Sequence, residues 1–197
     1  MVKALAESGL AEYEPYSGVR LTKAGEQLAG LVLRRHRLVE AFLVQVMGMS
    51  WAEVHDEAEQ LEHVVSERLI ERIDEMLGRP THDPHGDPIP DRELRIDTGR
   101  SRTLVDLESG ERAEVSRVPD GDPDLLRYLT ELGLVPGSSV EMVDQAPFAG
   151  PVTLRTNLAD YPVTKALKSG AITSDLVTFD FCGPKVANQG FKQMVRE

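Results

Sequence analysis

Cysteine is nearly absent from this chain: Cys182 is the one example in 197 residues. A lone thiol excludes an intramolecular disulfide and any multi-cysteine zinc site, and it suits a reducing compartment. Aromatic residues make up only 5% of the sequence, so its cores must be built mainly from Leu, Val, Ile and Ala. Long apolar runs are missing as well, and none approaches the roughly 18 residues that a membrane span needs. The opening Met1-Val2-Lys3-Ala4-Leu5-Ala6-Glu7 carries an acid too early for a secretory signal and offers no small-residue cleavage site. Positive charge is scarce: 22 Lys and Arg stand against 33 Asp and Glu, a net −11 with neutral His. A phosphate backbone repels such a chain unless something offsets the acids. Bound divalent cations, each adding about two positive charges, are the obvious candidate.

With 41% apolar and 28% charged residues, the chain has the balance of a soluble globular protein. Its length allows one large domain or two to three small ones. Val2 to Leu10 reads as the end of a helix stopped at Gly9. Ala11 to Thr22 reads as a hairpin turning at Pro15-Tyr16-Ser17-Gly18, after which Thr22 caps a new helix. Helix, charged hairpin, helix is how a winged helix-turn-helix ends, and its opening helices are absent here. Leu28, Leu31, Val32, Leu38, Val39, Phe42, Leu43 and Val46 then recur at helical spacing. Gly48-Met49-Ser50 ends that run, and Ser50 with Glu53 predicts a capping box for a second helix reaching about Val65. A third amphipathic helix follows Ser66, carries Leu69, Ile70, Ile73, Met76 and Leu77, and stops at Gly78 and Pro80. His82 to Arg92 is rich in Pro, Gly and Asp and reads as a linker, its His82 and His85 as exposed loop residues with stray metal ligands as the alternative.

Beyond it the period changes. Thr103–Leu107, Glu114–Val118, Ser139–Val143, Val152–Arg155 and Leu176–Phe181 predict short strands. Asp122 caps a short helix to Leu132, and Val163, Ala166 and Leu167 suggest another helical element. Short strands with Gly/Pro turns imply a small β-barrel.

The helical region is dense in metal-type side chains. His36 and Glu40 lie four apart and share a helix face. His55, Glu59, Glu62 and His63 follow, and at about 100° per residue they fall within one arc of about 100°. Val54, Ala58, Leu61 and Val65 border that arc, so the donors adjoin the buried face. Two His and carboxylates without thiolate suit Mn(II), Fe(II) or Zn(II). The competing reading is a solvated charged face on a structural dimer. No H-E-x-x-H pattern is present, which argues against a zinc protease. Nor is there a nucleophile–base pair or a phosphate-binding glycine loop, so the chain is not expected to be an enzyme.

At Arg35-His36-Arg37-Leu38-Val39-Glu40, Val54 to Val64 and His85-Gly86-Asp87-Pro88-Ile89-Pro90 the sequence resembles the metal-dependent transcriptional repressors of the diphtheria toxin repressor and manganese transport regulator type. Leu129 to Pro151 looks like the SH3-like, FeoA-type domain of the longer members. The resemblance implies a multi-domain α + β fold. Residues 1–22 would be the end of a winged helix-turn-helix, and 23–90 an all-α metal-binding and dimerisation domain. A linker at 91–100, the SH3-like barrel at 101–182 and a tail at 183–197 would complete it.

The family's ancillary metal site maps onto His36, Glu40 and His55, with Asp122 as the acid from the SH3-like domain. A Gln ligand of some iron-responsive members is replaced by Leu125. The primary, activating site maps onto Glu59, Glu62 and His63. The iron-responsive branch has Cys at the Glu59 position, so the carboxylate resembles the manganese-responsive branch. Mn(II) or Fe(II) is the implied cofactor, and Zn(II), Co(II) or Ni(II) can substitute in vitro. The implied function is a cytoplasmic repressor, binding operator DNA as a metal-loaded homodimer, with no membrane partner and no small-molecule substrate. Lys3, Arg20 and Lys23 are the expected phosphate contacts. The alternative is a metal-binding protein-interaction module without DNA binding.

Overall fold

The computed structural model describes residues 2–14, 18–97, 102–145, 152–156, 160–162 and 178–180. Two compact units divide the chain, Met1–Thr98 and Gly99–Glu197. The first is mainly helical, the second mainly sheet.

The helical unit opens with α1 (Val2–Glu7). Gly9 ends it in the left-handed region at φ +74, and Leu10 N–H reaches back to Leu5 O at 2.9 Å. β1 (Ala11–Glu14) and β2 (Gly18–Leu21) form the expected antiparallel hairpin, pairing Ala11 with Leu21. Its turn at Pro15, Tyr16 and Ser17 lies outside the described residues. Thr22 caps α2 (Lys23–Gln45), accepting from Gly25 N–H at 3.2 Å and donating to Gly9 O at 2.7 Å. The hairpin crosses α2 so closely that a Cβ on Gly25 would lie 2.0 Å from Leu10 O, and glycine at this helical position is a packing requirement.

The predicted Ser50–Glu53 capping box does not form. Ser50 Oγ accepts from Ala52 N–H at 3.3 Å and Ser50 O from Glu53 N–H at 3.0 Å, so these residues make a turn. α3 (Val54–Glu62) starts after it without a side-chain cap. α4 (Glu67–Met76) does have its cap, with Ser66 Oγ accepting from Leu69 N–H. Leu38, Val39, Leu43, Val54, Ala58, Ile70, Ile73 and Ile89 form the core of this unit. The apolar stripe of α4 is split. Ile70 and Ile73 enter the core, while Leu69 and Met76 are 50% and 64% exposed.

Residues 81–90 correct the sequence reading of this segment as a linker. They fold back on α2. His82 bridges to Pro88, Ile89 N–H bonds Thr81 O at 2.8 Å, and Ile89 joins the core. Arg34 and Arg37 of α2 hold the segment. Arg34 donates to Pro90 O at 2.7 Å and pairs with Asp74 of α4 at 2.9 Å; Arg37 donates to Pro88 O and to Asp87 at 3.1 Å. The Pro and Gly residues that break helices here serve a tight, packed turn.

The sheet unit contains β3 (Arg102–Thr103), β4 (Arg112–Arg117), α5 (Pro123–Glu131), β5 (Ser139–Gln145), β6 (Val152–Arg155), β7 (Asp160–Pro162) and β8 (Thr178–Asp180). The strands form one antiparallel sheet in the order β3-β8-β4-β5-β6-β7. The expected strand at Thr103–Leu107 is mostly a turn, because the Asp106 carboxylate accepts from Thr103 N–H and Oγ1 at 2.9 and 2.8 Å and closes a 3₁₀ turn at Leu104–Asp106. Glu141 accepts from Arg112 at 3.0 Å and Arg155 at 2.9 Å across three strands, which favours their register. Leu125, Leu126 and Leu129 bury one face of α5. β7 had no counterpart in the sequence reading. The helical element expected near Val163, the tail and Cys182 lie outside the described residues.

Candidate metal centre

α2 and α3 bring three donor atoms to one point. His36 Nε2 lies 3.0 Å from Glu40 Oε1 and 3.2 Å from His55 Nδ1, and His55 Nδ1 lies 3.3 Å from the same Glu40 oxygen. With metal–ligand bonds of about 2.1 Å, neighbouring donors stand about 3.0 Å apart around an octahedral ion and about 3.4 Å around a tetrahedral one. The triangle is therefore already at ligand spacing. The one-turn step from His36 to Glu40 produces it on α2, and His55 in the first turn of α3 closes it.

Glu62, at the end of α3, joins from the other side. Its Oε2 lies 2.7 Å from His36 Nδ1 and its Oε1 3.4 Å from His63 Nε2. Burial opposes a charge on His36, but hydrogen bonds and attraction from Glu40 and Glu62 outweigh it and hold its pKa up at about 9. Burial likewise opposes the Glu40 anion, yet His36 and His85 pull that carboxyl down to about 2. At neutral pH the pair is an imidazolium on a carboxylate. One proton then supplies the positive charge that a cation would bring, and a cation must displace it.

Glu40 has a second oxygen, and it faces a different group. Glu40 Oε2 lies 3.7 Å from His85 Nδ1, and Asp83 completes a set of ligand atoms all within 4.8 Å of one another. Glu40 and His85 are fully buried and Asp83 is 7% exposed. Asp83 Oδ1 accepts from the backbone N–H groups of His85 and Asp87 at 2.8 and 2.9 Å. This turn fixes the carboxylate and aims its other oxygen inward. His85 Nε2 donates to Trp51 O at 2.7 Å, which leaves Nδ1 as the ring nitrogen that faces Glu40. Burial, then the charges of Glu40 and Asp87, push Asp83 up to about 7. Burial opposes charge on His85 too, but Glu40 more than offsets it and raises its pKa.

Glu40 Oε2, Asp83 Oδ2 and His85 Nδ1 are buried without a hydrogen-bond partner among the described residues. Their remaining contacts are long ion pairs, Glu40 with His85 at 3.7 Å and Asp83 with Arg37 at 3.5 Å. Two carboxylate oxygens and an imidazole nitrogen that converge in this state fit a divalent cation of the first transition row, and their hardness favours its earlier members.

The sequence reading missed Asp83; His85, read as an exposed loop residue with stray ligation as the alternative, is fully buried. The available signal was Asp-Pro-His-Gly, where an Asp two residues before a His can close a turn and turn both side chains inward. Of the other expected ligands in this unit, Glu59 and His63 are exposed. Asp122, in the sheet unit, caps α5, and its Oδ1 accepts from Asp124 and Leu125 N–H groups at 3.0 and 3.2 Å. Lys3, Arg20 and Lys23 are exposed on α1, on β2 and at the start of α2.

Comparison with known proteins agrees with this chemistry. Residues 22–91 match the family model "Iron dependent repressor, metal binding and dimerisation domain", and residues 102–165 match the FeoA domain. The chain is 35% identical over 161 residues to the iron-dependent repressor IdeR of Mycobacterium tuberculosis, covering 76% of this chain and 70% of that protein. It is 30% identical over 156 residues to the diphtheria toxin repressor of Corynebacterium efficiens, covering 73% and 67%. A solved manganese-dependent transcriptional repressor in complex with manganese superposes with a TM-score of 0.77 at 38% identity, covering 90% of this chain and 80% of that one. The mixed helix-and-sheet architecture, the domain matches and the relatives agree, and the chain belongs to the family of metal-dependent transcriptional repressors, whose members are regulators and not enzymes.

Proposed function

We propose that this chain is a metal-responsive repressor of metal-homeostasis genes, answering to Mn(II) ahead of Fe(II), that binds operator DNA as a metal-loaded homodimer. The observation that carries the reading is the triangle of His36, Glu40 and His55 at 3.0–3.3 Å, made of hard and borderline donors with no thiolate. A divalent cation held there supplies positive charge that the chain, at −11, otherwise lacks next to DNA. His36 and Glu40 contribute from α2 and His55 from α3, so ligation ties the two helices together. Glu59, Glu62 and His63 form the second, activating position, which fills only after the tight triangle site, with Glu62 already bonded to His36 at 2.7 Å. The exposed Leu69 and Met76 of α4 pack against the same helix of a second copy. Residues 1–22 serve as the end of a winged DNA-binding domain, where Lys3, Arg20 and Lys23 meet phosphates. Residues 101–182 serve as the SH3-like domain.

The test is transcriptional. In cells lacking the gene, metal-uptake transcripts should stay high when Mn(II) is added, and the wild-type gene should restore repression. The His36→Ala/His55→Ala double variant should not. An unchanged Mn(II) response in the deletion strain, or rescue by the double variant, contradicts the proposal.

A further inference from the structure

Glu40 is fully buried, and its two oxygens look into two different donor groups. Oε1 completes the triangle with His36 and His55. Oε2 meets Asp83 and His85, and there the partnerless atoms are concentrated. A single ion on the first group leaves the second unsatisfied, because Glu40 turns a separate lone pair toward each.

We infer that the centre is dinuclear: two divalent cations sit side by side, one on His36 and His55, the other on Asp83 and His85, with the Glu40 carboxylate bridging them. The inference rests on the repressor reading above and deepens it by giving the metal stoichiometry and the bridging ligand.

Two features support the second position. Its donors lie within 4.8 Å of one another, and around such an ion neighbouring ligands stand about 3.0 Å and opposite ones about 4.2 Å apart, so a closure of about 2 Å or less suffices. Its ligands are already oriented from behind, Asp83 by two backbone N–H groups and His85 by Trp51 O; metal-bound histidines and carboxylates ordinarily have such support. Arg37 Nε already pairs with Asp83 Oδ2 at 3.5 Å, and a cation must displace that contact. Repulsion between two adjacent ions is offset by the shared carboxylate and the further acids Asp83 and Glu62.

The experiment is a Mn(II) titration of the whole chain with three readouts: metal analysis after dialysis, electron paramagnetic resonance, and fluorescence of Trp51. Trp51 is the single tryptophan of the chain, and its ring centroid is 5.6 Å from that of His85. The expected result is a spin-coupled Mn(II) pair in place of isolated six-line Mn(II), and quenching of Trp51. The isosteric Asp83→Asn variant, and separately His85→Gln, should each bind one Mn(II) fewer per chain than the wild type, with an uncoupled spectrum and most of the quenching lost. Folding of each variant is checked by circular dichroism, and Asp83→Asn keeps the inference testable if His85→Gln unfolds. An uncoupled spectrum in the wild type, with a Mn(II) count unaffected by Asp83→Asn, overturns the bridged pair and leaves the repressor reading intact. No bound Mn(II) in the wild type overturns both.

Discussion

Two sets of metal-type side chains occur within thirty residues of one another, and the structure treats them differently. His36, Glu40 and His55 are drawn to within 3.0–3.3 Å, and Asp83 and His85 stand against the far oxygen of Glu40. Glu59 and His63, with the same chemistry, stand in solvent at the end of α3. The difference is in what surrounds them. The first set is held by two crossing helices and by a folded segment pinned through Arg34 and Arg37. The second occupies the last turn of a short helix, where Glu62 alone turns inward. Donor identity makes a site possible, but ligands become preorganised only when their own backbones and neighbours are fixed.

The strongest way to break the contrast is to release the segment that backs the first set. Arg34→Met leaves Asp74 buried without its partner and frees Pro90 O. It should destabilise the chain by about 3–5 kcal/mol, read as a large drop in the urea midpoint, and should weaken Mn(II) binding with it. Less drastic is Glu40→Gln, which keeps shape but removes the shared anion. Calorimetry should show Mn(II) affinity falling by at least about 100-fold, since even supporting residues around metal ligands cost about 10–100-fold.

Acidity sharpens the comparison next. His36 has its folded pKa raised from 6.5 to about 9, so its stabilisation is fully present below pH 6.5 and is lost as pH rises through 9. Asp83 is raised from 3.8 to about 7, so it too favours the fold less as pH climbs through that range. Glu40, lowered from 4.5 to about 2, stabilises above pH 4.5 and loses that effect only as pH falls toward 2. The metal-free chain should therefore melt on the order of 5 °C lower at pH 9 than at pH 6. Mn(II) affinity should run the opposite way and rise over the same interval, because binding releases the His36 proton. A flat melting profile with flat affinity would contradict the protonated pair. The smallest effect belongs to the exposed set. Glu59→Gln should change Mn(II) affinity of this chain by less than about threefold in the same titration.

Much of the arrangement was legible in the sequence. Hydrophobic spacing placed α2 and α4, Thr22 and Ser66 marked true caps, and the hairpin registered as read. The i, i+4 step from His36 to Glu40 and the position of His55 pointed to the donor triangle. What failed failed for local physical reasons. Ser50 and Glu53 have the spacing of a capping box but spend their hydrogen bonds on a turn. Thr103 to Leu107 is apolar enough for a strand, yet Asp106 bonds back to Thr103. His85 was hidden because its segment is held down by Arg34 and Arg37, contacts from more than forty residues away that no local pattern encodes. Glu59 and His63 share the helical arc of Glu62, but α3 ends at Glu62, so the arc does not extend to His63.

The most direct measurement is a pair of calorimetric Mn(II) titrations, one on His55→Ala and one on His63→Ala. If the packed cluster is the metal centre, the tight step disappears in His55→Ala and persists in His63→Ala with its affinity within about threefold. Loss of the tight step in His63→Ala, with His55→Ala unchanged, would place the centre at the exposed end of α3 and contradict the account.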